Sequence, residues 1–345
     1  MVQEGRADRS RAFIGSFTAA GGPGLVTAEI ASNSGALTLV AAVNVVPDPS
    51  YLALSPDGNT LYAVSETAEG AVAAYRVGGD RPEPAGPPVP VDGSGPTHLS
   101  LYAGHVLTAN YGSGSVTAVP VRPDGGLAAK PSGVLRHTGS GPHDRRQRGP
   151  HAHQVQPDPS GRWAVSVDLG TDSVRVCALE RGVPVLHREF ALRPGSGPRH
   201  LAFHPDGEHA YVVNELTPTV TVCRWDAAGG SLKPLSEVSV LPGAPAGDAY
   251  PSGIVVSPDG RFVWTATRGE DVLSVLGVAP DGLRLTGTVP CGGHWPRALE
   301  EHDGFLYAAN ERSGDVTWFA VDEATGRPQY DGSVQVTAAS CIVFG

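Results

Sequence analysis

The chain has 345 residues, of which 45 are glycine and 31 are proline, and its formal net charge is −10. Apolar alternation persists between the turn-forming residues, which excludes a disordered chain and indicates a β protein rich in turns. The acidic charge and the lack of a basic stripe argue against nucleic acid as a partner.

The first ten residues are polar and charged, and no apolar stretch of the kind found in signal peptides or membrane spans follows them. We expect residues 1–10 to form a flexible segment and residues 11–345 to form a single domain. The protein should be soluble and cytoplasmic, without membrane contact.

A segment that begins with proline recurs along the chain at intervals of 45 to 54 residues. Its copies begin at Pro49, Pro96, Pro150, Pro198, Pro251 and Pro296. In several copies a short strand precedes a Pro-Asp-Gly turn and a second strand returns from it, which predicts a β-hairpin. A third strand and a more variable fourth strand follow. Four short strands per repeat, without helical periodicity, are typical of a propeller blade.

The two ends of the chain complement each other. Residues 12–18 resemble the second strand of a blade that lacks its inner strand, and residues 339–344 resemble an inner strand with nothing after it. The C-terminal strand is therefore predicted to join the N-terminal blade and close the ring, which removes exposed sheet edges. The predicted fold is an all-β, seven-bladed β-propeller with four-stranded blades.

The cysteines lie singly within predicted strands, without the paired spacing of a zinc site. They are Cys177, Cys223, Cys291 and Cys341. We expect four buried, reduced thiols and no metal site.

The hairpin geometry predicts where a functional site lies. The residue after each repeat proline and the residue that ends the returning strand should meet at one mouth of the central channel. The predicted partners are Ser50 with Glu66, Thr97 with Asn110 or Tyr111, His151 with Asp168, Arg199 with Glu215, Ser252 with Arg268, and Arg297 with Glu311. These positions diverge among the copies, and ionisable groups that share a concave mouth indicate a functional site. Ion pairs that only join neighbouring blades are the alternative.

An arginine-rich loop, residues 139–150, lengthens the repeat that leads into His151. It contains Arg145, Arg146 and Arg148 between two Gly-Pro pairs, and we expect it to overhang the same mouth. Arginines beside a cavity of an acidic protein favour recognition of a carboxylate or phosphate. A solvated surface loop is the alternative.

The chain resembles the seven-bladed propeller lactonase family in the motifs Arg146-Gln147, Pro150-His151-Ala152-His153-Gln154-Val155, Asp168-Leu169-Gly170, Ala109-Asn110-Tyr111-Gly112 and Val213-Asn214-Glu215. That family includes the propeller-type 6-phosphogluconolactonases and the fungal 3-carboxy-cis,cis-muconate lactonizing enzymes. The resemblance covers essentially the whole chain. From the muconate enzymes it implies a site of one histidine, one glutamate and two arginines, which correspond here to His151, Glu215, Arg199 and, less directly, Arg268.

The resemblance implies an enzyme that hydrolyses an anionic, sugar-type lactone, as 6-phosphogluconolactonases do. A lactone-forming cycloisomerase of the muconate kind is the alternative. In the hydrolase, His151 or Glu215 would be the base, and Arg199 and Arg268 would bind the oxyanion or a substrate carboxylate. Further candidates for substrate binding are Arg145, Arg146, Gln147, Arg148, His153, Asp168, Asn110, Tyr111, Glu66, Arg297 and Glu311. Neither reaction needs a metal or a cofactor, and we expect a monomer or a weak homo-oligomer.

Two other classes of propeller are possible. Metal-dependent propeller lactonases hold calcium or zinc in the channel with carboxylate and asparagine ligands, for which Glu66, Glu215 and Glu311 are candidates, although arginines at the mouth disfavour a cation. A non-enzymatic propeller that binds a ligand or a protein, as WD40 propellers do, would expose an aromatic and apolar rim, and the repeated, spaced Gly-His…Trp-Asp signature of WD40 propellers is absent.

Overall fold

The computed structural model describes residues 10–345, so that the predicted flexible segment 1–10, apart from Ser10, lies outside the described residues. Within residues 10–345 the chain forms β-strands throughout, and its one helical element is a 3₁₀ turn at Thr18–Ala20. The described part of the chain therefore contains no helix that is long enough to cross a membrane. The predicted all-β fold is confirmed.

The strands fall into seven blades in chain order. Blade 1 contains β1 (Arg11–Ser16), β2 (Leu25–Ile30) and β3 (Leu37–Val43). Blade 2 contains β4 (Leu52–Leu54), β5 (Thr60–Ser65), β6 (Ala71–Arg76), β7 (Glu83–Pro84) and β8 (Val89–Pro90). Blade 3 contains β9 (Pro96–Tyr102), β10 (His105–Asn110), β11 (Ser115–Pro120) and β12 (Gly133–Arg136). Blade 4 contains β13 (Ala152–Pro157), β14 (Ala164–Asp168), β15 (Ser173–Glu180) and β16 (Val183–Ala191).

The same order continues to the end of the chain. Blade 5 contains β17 (Pro198–Phe203), β18 (His209–Asn214), β19 (Thr219–Asp226) and β20 (Ser231–Ser239). Blade 6 contains β21 (Tyr250–Val256), β22 (Phe262–Arg268), β23 (Val272–Ala279) and β24 (Gly282–Pro290). Blade 7 contains β25 (Pro296–His302), β26 (Phe305–Asn310), β27 (Asp315–Val321) and β28 (Pro328–Gln335), and the last strand is β29 (Ala339–Phe344).

Strand β29 closes the ring by completing blade 1. The sheet order of that blade is β29-β1-β2-β3, and β29 pairs antiparallel with β1 so that Phe13 lies opposite Val343 and Ile14 opposite Ile342. The other blades are antiparallel sheets of consecutive strands, and in blade 2 the outermost position is divided between β7 and β8. The predicted seven blades and their closure by the C-terminal strand are confirmed.

Apolar side chains from facing sheets fill the space between neighbouring blades. Between blades 4 and 5, for example, Val165 and Val176 pack with Val212 and Trp225. A central strand has a neighbouring blade on each face, so both sets of its alternating side chains are buried. Strand β5 is buried at every position for this reason. All four cysteines are buried and unpaired in this core, as predicted.

Each blade is tied to the next by a side-chain hydrogen bond to a backbone carbonyl. Tyr62 of blade 2 donates to Gly125 of blade 3 (2.8 Å), and Trp264 of blade 6 donates to Gly326 of blade 7 (2.7 Å). The other ties run from Arg11 to Val77, Tyr102 to Arg162, Trp163 to Ala227, His204 to Gly260, and Tyr307 to Gly35. The ring is thus linked without a break.

A buried asparagine ends the second strand of three blades and fixes the turn at the channel mouth. The Nδ2 groups of Asn110, Asn214 and Asn310 donate to threonine hydroxyls of the third strand at 2.9, 2.9 and 3.1 Å. The residues that follow these asparagines are Tyr111, Glu215 and Glu311. The amide of Asn110 is fully buried and bonded within its own blade, so we assign it a structural role.

Candidate active site

Four of the six predicted pairs at the channel mouth are in contact. The contacts are Ser50 Oγ to Glu66 at 2.5 Å, His151 N to Asp168 at 2.9 Å, Arg199 Nε to Glu215 at 3.0 Å, and Arg297 Nη1 to Glu311 at 3.5 Å. In the other two pairs, the hydroxyls of Thr97 and Ser252 donate to backbone carbonyls instead. The hairpin geometry therefore brings the side chains of three pairs together, and in a fourth pair Asp168 meets the backbone of His151.

β-Bulges turn two of the arginines toward the mouth. In blade 5 the pairing register shifts between Pro198 and His200, so that Arg199 is the extra residue. In blade 7 the same shift isolates Arg297. A bulge re-aims a side chain and is frequent beside functional sites.

Blade 4 departs from the predicted register by two residues. The spacing of the repeat predicts an inner strand that begins after Pro150, but β13 begins at Ala152. The register shift of this blade lies between Ala152 and Gln154, so that His153 holds the bulge position predicted for His151. His151 instead lies just before the strand, at the end of the arginine-rich loop.

Glu215 lies at the centre of the site. Its carboxylate is 2.5 Å from Arg146 Nη2, 2.9 Å from Arg268 Nη2, 3.0 Å from Arg199 Nε and 3.9 Å from His153 Nε2. Burial opposes ionisation of this carboxyl, but the three guanidinium groups outweigh burial and lower the pKa of Glu215 to about 2. The carboxylate is therefore ionised at neutral pH.

Arg199 and Arg268 are held in place as buried cations. They are 2% and 6% exposed. Burial lowers the pKa of both groups, and together with the neighbouring Arg268 charge it brings the pKa of Arg199 to about 9, so that Arg199 is charged at pH 7. Arg199 Nη1 donates to Ser252 O (2.6 Å), and Arg268 Nε donates to Tyr250 O (3.2 Å). The backbone thus fixes the orientation of both guanidinium planes.

A second charged cluster lies where blades 7 and 2 meet blade 1. Arg297 Nη2 donates to both oxygens of Glu66 at 3.3 Å, and the guanidinium lies over the ring of Phe17, 4.7 Å from its centroid. The Arg297 charge also contributes to lowering the pKa of His153, which places the two clusters side by side. Together they hold four guanidinium groups and three carboxylates, so the mouth of this acidic protein carries an excess positive charge.

His151 is half-buried, and within residues 10–345 only one of its ring nitrogens has a hydrogen-bond partner. Its Nδ1 lies 2.8 Å from the carbonyl oxygen of Tyr111, and its ring stacks on the Tyr111 ring with centroids 4.3 Å apart. A carbonyl only accepts hydrogen bonds, so Nδ1 carries the proton and Nε2 keeps a basic lone pair. The buried Asp168 accepts from the backbone N–H groups of His151 and Thr171 and so fixes this segment.

Three buried histidines continue from the mouth into the channel. The ring centroids of His153 and His200 are 5.2 Å apart, and those of His200 and His98 are 5.5 Å apart. Burial lowers the pKa of all three, to about 3 for His98, so they are neutral at pH 7. A cavity of about 270 Å³ adjoins these histidines, and its lining includes His98, His200, Tyr51 and Glu300.

The arginine-rich loop reaches the site through one side chain. Arg146 contacts Glu215, and its Nη2 is 3.3 Å from the Tyr111 hydroxyl. Gln147 is fully buried, and its Nε2 donates to Leu169 O at 2.8 Å and to Asp172 at 2.7 Å, which anchors the loop. Arg145 and Arg148 are exposed, and within residues 10–345 neither forms an ion pair or hydrogen bond with the cluster.

Two residues that the repeat analysis did not single out lie at the same rim. Trp295 precedes the repeat proline of blade 7, and Arg312 follows Glu311. The Cζ atoms of Arg268 and Arg312 lie over the Trp295 ring, 5.6 and 3.3 Å from its centroid. The only signal in the sequence was a tryptophan immediately before the repeat proline.

The three carboxylates of the mouth are engaged by arginines. Glu66, Glu215 and Glu311 each pair with arginine rather than with one another. Across residues 10–345 no three His, Cys, Asp or Glu side chains are grouped so that they could hold a metal ion.

Comparison with known families gives a match over nearly the whole chain. The family model described as "Lactonase, 7-bladed beta-propeller" matches residues 11–344. A 6-phosphogluconolactonase of Bacillus subtilis is 33% identical over 341 residues, which cover 96% of this chain and 97% of that protein. A 6-phosphogluconolactonase of Serratia proteamaculans is 29% identical and covers 86% of this chain and 88% of its own.

Solved structures give the same result. A crystal structure described as a putative 6-phosphogluconolactonase from Bacteroides fragilis superposes with a TM-score of 0.91 at 27% identity and covers 100% of both chains. The periplasmic gluconolactonase of Pseudomonas aeruginosa superposes with a TM-score of 0.90 at 29% identity, over 97% of this chain and 98% of its own. Because that neighbour is periplasmic, the cytoplasmic location of the present chain stays a prediction.

Proposed function

This chain belongs to the seven-bladed β-propeller lactonase family, and we propose that it hydrolyses an anionic sugar lactone of the 6-phosphogluconolactone type. The observation that carries the proposal is the presence, at a mouth of excess positive charge, of both a histidine oriented by a backbone carbonyl and buried, preorganised arginines. An anionic lactone matches the charge of that mouth, and its hydrolysis needs both a base and a cationic oxyanion site.

His151 is the base in this scheme. Its Nε2 takes a proton from the water that attacks the lactone carbonyl carbon. The ring C–O bond then breaks, and the imidazolium returns the proton to the departing ring oxygen, which becomes a hydroxyl group. The new carboxylic acid releases its proton to solvent. Stacking on Tyr111 and the hydrogen bond from Nδ1 hold the imidazole in one tautomer and one orientation.

Glu215 serves a different role from the base. Three guanidinium groups surround it and its pKa is about 2, so it is a poor proton acceptor at neutral pH. Instead it holds Arg199 and Arg268 close together although both are cations. Those two arginines stabilise the tetrahedral oxyanion, because fixed charges in a buried site need no reorganisation as the negative charge develops.

The exposed edge of the cluster binds the anionic part of the substrate. Arg146 retains 34% exposure of its side chain, so its guanidinium is accessible from the mouth. Glu66 and Glu311 accept hydrogen bonds from sugar hydroxyls, and Arg297 fixes their positions. Contributions of Arg145 and Arg148 stay a prediction from the sequence.

Hydrolysis of 6-phosphogluconolactone, measured as acid release in a pH-stat and corrected for the rate in buffer, tests the proposal. His151→Gln should lower kcat by about 10²- to 10⁴-fold, the usual contribution of a general base. His187→Gln is the matched control, because His187 is exposed on the outer strand β16 and stacks on Trp163. His153→Gln, measured in the same assay, distinguishes the role of His153 from that of His151.

The outcomes distinguish function from site. A wild-type rate equal to that of buffer contradicts the lactonase proposal, and absorbance loss of 3-carboxy-cis,cis-muconate would then favour the cycloisomerase. If His151→Gln keeps wild-type activity and His153→Gln loses it, the base is His153 at the bulge position and not His151. Activity that EDTA abolishes would point to the metal-dependent class.

A further inference from the structure

The rim of blade 7 carries an arginine whose charge has no partner within residues 10–345. Arg312 is exposed, and no hydrogen bond or ion pair of its side chain is present in the described structure. Its guanidinium instead stacks on the indole of Trp295, with Cζ 3.3 Å from the ring centroid. Stacking on one face leaves the N–H groups at the guanidinium edge free to donate.

Trp295 is held in an unusual backbone conformation. Its φ is +66°, a left-handed value that is rare for a bulky residue and strains the backbone. Its N–H donates to Asp271 Oδ1 at 2.8 Å, and its carbonyl accepts from Glu311 N at 3.1 Å. Strained conformations of this kind cluster at ligand-binding sites.

The two turns that carry this pair are bonded to each other. Arg312 N donates to His294 O at 3.1 Å, and His294 N donates to Ser313 Oγ at 2.8 Å. Asp271, which bonds both of these turns, is paired with the His294 ring and with the Trp295 N–H. The Arg312 guanidinium is therefore fixed on a rigid support, and its charge is not neutralised.

The same indole connects the rim to the proposed catalytic cluster. The Cζ of Arg268 lies over the Trp295 ring at 5.6 Å, and Arg268 Nη2 is 2.9 Å from Glu215. The Trp295 ring thus contacts two guanidinium groups. One belongs to Arg268 of the proposed catalytic cluster, and the other belongs to Arg312 at the outer rim. A lactone with a distal anionic group offers negative charge to both guanidinium groups.

We infer that Arg312, stacked on Trp295, is the subsite for the phosphate of a phosphorylated sugar lactone, and this inference rests on the proposed function. The planar edge of a guanidinium matches two phosphate oxygens, and the indole fixes the plane before the substrate arrives. In the part of the chain that the structure describes, neither Arg145 nor Arg148 of the loop stacks on an aromatic ring. Arg312 thereby distinguishes phosphorylated from unphosphorylated lactones.

Steady-state hydrolysis of 6-phosphoglucono-δ-lactone and glucono-δ-lactone tests the inference. Arg312→Ala should raise KM for the phosphorylated lactone about tenfold or more, the weight of a charge-assisted pair, while the constants for the unphosphorylated lactone stay the same. Arg312→Lys, which keeps the charge but loses the stacked fork, should fall between wild type and Arg312→Ala. Arg188→Ala, an exposed arginine on the outer strand β16, is the matched control.

Titration calorimetry with 6-phosphogluconate and gluconate gives a readout that does not depend on turnover. Wild type should bind the phosphorylated acid more tightly, and Arg312→Ala should lose that preference. If wild type hydrolyses the lactones but Arg312→Ala changes both substrates alike or neither, the subsite is wrong and the lactonase proposal stands. Loss of phosphate discrimination in Arg145→Ala/Arg148→Ala instead would place the subsite on the loop. If wild type hydrolyses neither lactone, the proposed function fails and calorimetry alone decides the subsite.

Discussion

Glu215 holds together a buried group of like charges. Three guanidinium groups lie within 3.0 Å of its carboxylate, and two of them are almost fully buried. Removal of one partner of a buried charge cluster leaves the others uncompensated, which is far more costly than loss of a surface pair. The cluster should therefore matter for stability as well as for catalysis.

Glu215→Gln should lower the free energy of unfolding by about 3 kcal/mol or more, because two buried arginines lose their counter-charge. Urea denaturation at neutral pH measures this change. Glu237→Gln is the matched control, since Glu237 pairs with Arg193 on the surface, where a loss below about 1 kcal/mol is expected. Equal effects of the two substitutions would mean that the buried cluster has no special energetic role.

Acid should remove the same stabilisation in wild type. The folded-state pKa of Glu215 is depressed from 4.5 to about 2, so its contribution is complete above pH 4.5 and is lost as pH falls toward 2. At about 1.36 kcal/mol per unit of pKa, the loss is roughly 3 kcal/mol. The unfolding free energy of wild type minus that of Glu215→Gln, measured between pH 6 and pH 2.5, should shrink as pH falls. A difference independent of pH would contradict the assignment.

At the scale of the strand, most of the blade architecture could be predicted because it follows from alternation and turn chemistry. The third strand that each repeat predicts is found in blade 7 at Asp315–Val321, where apolar residues face a neighbouring blade on each side. The predicted inner strand of blade 4 differs from the observed strand because Pro150 occurs at the spacing of the repeat proline although β13 begins at Ala152. Only the residues that pair across the two strands show the true register.

The contacts that polar side chains make are harder to predict from the sequence, because they also depend on the pairing of distant segments. Asn110 and Gln147 occur in motifs that suggest the mouth, yet both are buried and bonded to backbone or to neighbouring strands. Sequence gives the position of a residue along a strand, but which partner its amide meets depends on contacts between distant segments. The stacking of Arg312 on Trp295 was invisible for the same reason.

The closing strand depends on a close approach at Gly15 of β1. A Cβ atom at this position would overlap Pro49 O and lie 2.8 Å from Cys341 Sγ of β29. Gly15→Ala should therefore push β29 away and lower the free energy of unfolding by roughly 1–3 kcal/mol. Gly287→Ala is the matched control, because Gly287 also lies in a strand, β24, with no atom within 4 Å of its Cβ position. If both variants unfold like wild type, the closure is not tightly packed.

For the whole molecule, the unbroken series of side-chain ties and the closing strand argue for a ring that unfolds as one unit. Every blade donates a hydrogen bond to a carbonyl of the next, and the cluster around β29 joins side chains of blades 7, 1 and 2. Loss of one blade would expose apolar faces on both of its neighbours. Stability should therefore be shared around the ring rather than confined to separate parts.

The distribution of tryptophan allows this cooperativity to be measured. All five tryptophans lie in or beside blades 4 to 7, at Trp163, Trp225, Trp264, Trp295 and Trp318. Fluorescence thus reports on one side of the ring, whereas far-ultraviolet circular dichroism reports on all seven blades. The two urea transitions should coincide, and Gly15→Ala in blade 1 should shift the fluorescence transition as far as the dichroism transition. Loss of dichroism before fluorescence, or a fluorescence midpoint that Gly15→Ala leaves in place, would show that blades 1 to 3 unfold separately.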